Sequence, residues 1–442
     1  MSIAEAGRPA LVPELYRQPQ GPSVSLRIGR RHRIGELLRS IGPELVSGAS
    51  DNDPTNVGTA AAVGASTGYH LAWVALLVAP LLGVVQVIAA HVGSVAGGDL
   101  QTLTLKRYGR RVAGVLLVSV LVVNLVTLVA DLQAGAVGIG LLTGVDSRWL
   151  VAPLGLALVG LLLVGKYDSV VAVLRYLLLG FLAFAVAAVL AHPNWSHLAV
   201  SSLIPRLSLN RNLIGGSLAL IGTALTSYVY VWETIQRGVE EPPDITIRGR
   251  GLVRARWGAV IGAVFTALML WFMLVASAAT LGRHHQTISS AQQAAQELRP
   301  LAGPQAADLF AIGLIISALC VLPVLMATTA YVVGAQFDWR RGLSEPVSKA
   351  GGFYAVLTAS IGLAVAVTLA NISVMTMLVA ASVIAGFGTP IGLVILVLLG
   401  RDRTIMGNQP ISRRLAVAGW TVAALVGGFG LVYAIAAALG MF

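Results

Sequence analysis

From Val112 to Ala130 the chain runs for 19 residues without a fixed charge. Comparable runs recur at Leu150–Val164, Val260–Leu281 and Phe353–Leu369. A bilayer core about 30 Å thick is crossed by roughly 20 apolar helical residues. Strands of a membrane barrel need about half that length and alternate polar with apolar side chains, and these runs do not alternate. Charged residues make up 11% of the 442 and hydrophobic residues 56%, where a soluble domain carries about 25% charged residues. The sequence therefore predicts an all-α integral membrane protein. Its 49 glycines suit that setting, because small residues let membrane helices approach closely.

Eleven spans are predicted, at 41–66, 70–95, 112–142, 149–165, 169–191, 213–236, 254–281, 307–335, 352–370, 374–399 and 414–440. With the N-terminal segment on the cytoplasmic side, the inside segments hold 24 of the 30 Lys and Arg residues. The outside loops hold Arg148, Arg206, Arg211, Arg283 and Arg299, and Arg175 lies two turns inside a span, close enough to the inner face to snorkel. The positive-inside rule reads this asymmetry as N-terminus in and C-terminus out, in the inner (cytoplasmic) membrane. The net charge of +11 is then a topology signal, and no nucleic-acid partner is expected.

Residues 1–40 are polar and Arg-rich, with Pro9, Pro13, Pro19 and Pro22. They read as a disordered basic cytoplasmic tail rather than a signal peptide. Residues 41–442 read as one transmembrane transporter domain. Its longer polar interruptions are two outer loops, His192–Leu213 and Gly282–Ala306, the second with a short surface helix expected over Ser289–Arg299. Inside, Arg237–Arg256 and Gln336–Ala350 join pairs of spans. None is large enough for a catalytic domain, and no P-loop pattern occurs, so neither an enzyme nor nucleotide-driven transport is expected. Cys320 is the sole cysteine and reads as a buried core residue.

Two spans are too polar at their centres for lipid. The first carries Ser50-Asp51-Asn52-Asp53-Pro54-Thr55-Asn56, and the sixth carries Thr223-Ala224-Leu225-Thr226-Ser227-Tyr228. Interrupted segments at matching positions of two halves point to an inverted-repeat transporter with a midplane site. Pro54 removes a backbone donor, so the first helix should break near Ser50–Asp53. The freed carbonyls must face protein, water or a cation. Asp53 adds an anionic oxygen and Asn56 an amide oxygen, a set suited to a hard or borderline divalent ion. Asp53 reads as functional because intramembrane carboxylates usually are, the alternative being a bond to Thr55 or Thr59. Asp51 reads instead as a helix cap nearer the membrane surface.

Asp53-Pro54-Thr55-Asn56, after Gly42-Pro43, resembles the Asp-Pro-Gly-Asn motif of the natural resistance-associated macrophage protein (NRAMP) metal transporters. Asp131 in the third span, Met406-Gly407 after the tenth and the eleven-span layout match as well, over roughly 41–408. The resemblance implies a LeuT-type inverted repeat (5+5) plus an eleventh transmembrane helix, with proton-linked divalent-metal uptake and the metal as substrate rather than cofactor. It carries metal binding onto Asp53 and Asn56. Ser50, Thr223 and Thr226 complete the expected oxygen set. The family's sixth-span Met-Pro-His is here Thr226-Ser227-Tyr228, as in a divergent bacterial branch with Thr-Pro-Tyr-type sixth spans. Loss of the thioether weakens transition-metal preference and favours a hard, partly hydrated ion such as Mg2+, with Mn2+ retained as a substrate.

The expected proton route is Asp131, Glu233 and Tyr228. Asp131 is read as a proton acceptor or as the structural partner of a nearby hydroxyl or Arg. The family's Glu three residues later is Ala134, and its two sixth-span His positions are Tyr228 and Glu233. Glu233 either carries protons or pairs with Gln236 or Arg237. Ser382 stands at the family's tenth-span Gln. Facilitated, potential-driven influx is the rival to proton coupling, and symport of a small organic solute such as an amino acid is the alternative function. His70 and His91 read as interfacial or backbone-satisfied, and His284-His285 as solvated. The sequence leaves the oligomeric state open.

Overall fold

The computed structural model describes residues 51–164, 177–205, 211–240, 248–280, 282, 304–370 and 374–438. The basic segment 1–40, Ser50, His284-His285 and the helix expected over Ser289–Arg299 lie outside the described residues. All regular structure among the described residues is helical: α1 (Pro54–Thr67), α2 (Ala72–Ala96), α3 (Leu100–Thr143), α4 (Ser147–Val164), α5 (Leu182–Leu190), α6 (Trp195–Leu203), α7 (Arg211–Ala224), α8 (Ser227–Ile235), α9 (Arg248–Thr280), α10 (Pro304–Gln336), α11 (Gly351–Leu369), α12 (Val374–Arg401), α13 (Arg403–Met406) and α14 (Arg413–Ala438). Eight described helical segments are long and apolar enough to cross a bilayer, the first of them, Pro54–Ala96, running through two predicted spans.

Residues 41–50 and 169–176, parts of the first and fifth predicted spans, lie outside the described residues, and among the others the third shows the largest difference. The third predicted span begins at 112, whereas α3 starts at Leu100 and bends at Gly109 (φ 78°, ψ 177°). Glycine takes that backbone geometry without a Cβ penalty. The bend falls inside the charged stretch Lys106–Arg111, just before the apolar run.

The broken spans sit at the centre of the helical domain. α1 packs on α9, α7, α3 and α10, and α8 packs on α2, α3, α10 and α12. α3 with α10, and α2 with α9, form the broadest helix contacts around them. Gly64 of α1 makes one approach possible: a Cβ there would lie 2.3 Å from the Leu274 carbonyl of α9. Ser277 of α9 also donates to the Ala61 carbonyl at 2.5 Å. α4, α11 and α14 flank this centre and present Leu156, Leu363 and Leu431 outward. In water such exposure would mark a docking or aggregation surface; on membrane helices it is the lipid face. Trp149, Trp195 and Trp339 are exposed and Trp73 is partly buried, and Cys320 is a buried free thiol.

Candidate metal site

The first break falls where Pro54 predicts it. Residues 51–53 are non-helical, and Asp53 (φ −69°, ψ 159°) is the N-cap of α1, with Pro54 at the first helical position. An N-terminal proline costs nothing there, because that amide has no intrahelical partner anyway. Asp53 Oδ1 accepts from the Asn56 amide at 2.6 Å. Asp131, on α3, accepts from the Thr55 amide at 3.2 Å and the Thr55 hydroxyl at 2.8 Å through Oδ1. Two carboxylates thus satisfy the open amides of one helix start, where the helix dipole favours negative charge.

The second break separates α7 from α8 at Leu225-Thr226. Thr226 is the N-cap of α8 in extended conformation, yet its side chain makes no capping bond. The hydroxyls of Thr226 and Ser227 are both buried without a hydrogen-bond partner. Tyr228, in the first turn of α8, donates to Asp53 Oδ2 at 3.1 Å. That bond joins the two breaks directly.

The neighbourhood holds three carboxylates and few donors. Asp51, Asp53 and Asp131 are 0–1% exposed, and none forms an ion pair with a described residue. Both Asp51 oxygens, Asn56 Oδ1 and Asp131 Oδ2 have no hydrogen-bond partner. Asn56 Nδ2 donates to the Asp51 carbonyl at 2.7 Å, which fixes the amide and leaves its oxygen uncommitted. Burying charge without compensation is costly, so an oxygen-lined, cation-poor pocket of this kind is balanced by a bound cation or by protons. Among the described residues no three His, Cys, Asp or Glu side chains converge on one metal position. Any ion here is therefore held by mixed oxygens (carboxylate, amide, hydroxyl and main-chain carbonyl), which suits a hard ion.

The structure brings Asp53, Asn56, Thr226, Tyr228 and Asp131 to the two breaks. It turns Thr223 elsewhere: that hydroxyl donates to Ala219 of its own helix at 2.8 Å. Glu233 lies in an ion pair with Arg237 (3.1 Å), with side-chain exposures of 1% and 9%. Asp51 departs from the sequence reading. It caps no described helix and is fully buried beside Asp53 and Thr266 of α9, because α9 packs over the segment and removes it from the surface. His70 and His91 meet backbone carbonyls, of Thr67 and Gln409, at 2.7 Å each. Sequence reasoning missed Thr55, Ser227, Thr266 and Ser317, whose hydroxyl donates to the Asn52 carbonyl. Thr55 and Ser227 stand inside the singled-out motifs; nothing in the sequence marks the other two.

The family model described as natural resistance-associated macrophage protein-like matches residues 44–436. The chain belongs to the Nramp family. A divalent metal cation transporter MntH of Deinococcus radiodurans is 28% identical over 401 residues, covering 89% of this chain and 88% of that protein. The fold is that of a manganese transporter of Eremococcus coleocola (TM-score 0.71, 18% identity, 93% of this chain and 88% of that one). It also resembles Mhp1, a nucleobase-cation-symport-1 family transporter in a closed conformation (TM-score 0.57, 14% identity, 87% and 89% covered). Membership in this family makes the chain a multi-pass membrane protein with the LeuT-type fold, its two breaks in the first and sixth spans.

Proposed function

We propose that the chain carries divalent metal cations, Mg2+ and Mn2+ foremost, inward across the cytoplasmic membrane through a site built on Asp53, Asn56 and Thr226. The observation that carries this reading is the set of buried, uncommitted oxygens at the two breaks, with no Lys or Arg paired to the carboxylates among the described residues. The similarity to MntH supports a divalent substrate. A hydroxyl at Thr226, in place of a thioether, favours hard ions over soft ones. An amino-acid carboxylate would meet three carboxylates here, which argues against the organic-solute alternative.

Orientation with the N-terminus inside rests on the Lys and Arg distribution. Glu233 is already neutralised by Arg237, which favours influx driven by the ion's own charge in the membrane potential. Coupling to protons through Asp131 is the second reading, favoured by its unpartnered Oδ2. Uptake of Mg2+, Mn2+ and Ca2+ into proteoliposomes, with and without a pH gradient, tests both. Asp53→Ala is expected to abolish uptake of every ion, and unaltered uptake would reject the site. If Asp131 relays protons, Asp131→Asn separates metal influx from lumenal acidification; equal acidification in the variant removes Asp131 from that role.

A further inference from the structure

Asp51 has no part in the site as built so far, and its surroundings are unusual. It is 0% exposed, neither carboxylate oxygen makes a well-formed hydrogen bond, and the groups that bear on it are the Asp53 carboxyl and the Thr266 hydroxyl. Asp53 is in extended conformation and residues 51–53 are non-helical. Asp51 lies two residues from Asp53 in this segment, close enough for the two carboxyl groups to act on each other. The Asp51 carbonyl is also tied to Asn56 Nδ2 at 2.7 Å, which couples the position of Asp51 to the amide oxygen offered to the ion. Thr266, from α9, stands against the Asp51 carboxylate on another flank.

A carboxylate that only capped a helix would be bonded to amides, and Asp51 accepts from none. Direct three-acid coordination is absent, because no three acidic or imidazole side chains converge among the described residues. Asp131 is turned to Thr55, which leaves Asp51 as the second carboxyl group beside Asp53. We propose that Asp51 is a specificity-determining residue of the cation site, holding a water of the bound ion's hydration shell rather than the ion itself. This inference rests on the divalent-cation reading above. Magnesium sheds water reluctantly and keeps several waters when bound, so it gains more from such a group than manganese does.

The test is uptake kinetics of Mg2+ and Mn2+ in proteoliposomes for the full chain and for Asp51→Asn, Asp51→Glu and Asp53→Asn. Outer ligands of metal sites typically carry tenfold or more in affinity. Asp51→Asn is expected to raise the KM for Mg2+ about tenfold and that for Mn2+ about threefold or less. Asp51→Glu keeps the charge and restores most of the Mg2+ affinity, which separates loss of the carboxylate from a folding defect. Equal rises for both ions would make Asp51 a direct ligand or a diffuse charge and overturn the proposal, as would no change for either ion while Asp53→Asn abolishes uptake. If Asp53→Asn itself transports normally, the cation-site reading fails first, and this inference falls with it.

Discussion

At Thr226 a single side chain separates two chemistries. Its hydroxyl is buried, uncommitted and placed at the start of α8, two residues before Tyr228, whose hydroxyl reaches Asp53. Thr226→Met is expected to shift preference from Mg2+ toward Mn2+ and Cd2+ by roughly tenfold, about 1.4 kcal/mol, read as the ratio of uptake rates in competition. An unchanged ratio would mean that Thr226 does not line the site. Arg237 makes a second residue-scale case. Its pair with Glu233 is buried on both sides, and breaking a buried pair costs on the order of 3 kcal/mol or more. Arg237→Ala should lower the thermal unfolding midpoint in detergent clearly, and an unshifted midpoint would show that Glu233 does not depend on it. The sequence singles out Thr226 by its place in the interruption, and it names Arg237 as one of two partners open to Glu233, the one the structure shows. Asp51 was not legible: its depth depends on α9, a helix more than 190 residues away in sequence, and no local pattern encodes that.

Elements were more legible than side chains. Proline beside a carboxylate inside an apolar run leaves the backbone few choices, so the break before α1 could be read to within a few residues. The bend at Gly109 could not be, because a glycine among the charged residues before the predicted span reads equally as a loop, and its φ sign is a tertiary outcome. The α1–α9 contact is where an element-scale test belongs. At Gly64 any side chain meets the Leu274 carbonyl, which belongs to backbone and cannot swing aside. Gly64→Val is therefore expected to part α1 from α9, lowering both uptake and thermal stability. Gly114, which has open space around its Cβ direction, is the control, and Gly114→Ala should leave both unchanged. Matching losses at the two positions would show that helix propensity, not the close approach, is being measured.

For the whole molecule, the lengths of the apolar runs predict the spans and the charge distribution predicts their orientation, because both depend only on the bilayer as solvent. Orientation has a direct check, since Cys320 is buried and silent to aqueous reagents. Ser196 and Ser344 are exposed on connections that the orientation assigns to opposite sides. A membrane-impermeant maleimide should label Ser196→Cys in intact cells and Ser344→Cys only after permeabilisation; the reverse pattern would invert the topology. What the sequence could not convey is how the halves touch. Asp53 divides its oxygens, one to the helix it begins and one to Tyr228 in the opposite repeat. In the language of a lock, that carboxylate is a bolt shared by two doors: whatever draws on Asp53 Oδ2 is felt by both repeats at once, with no intervening chain of residues to carry the message.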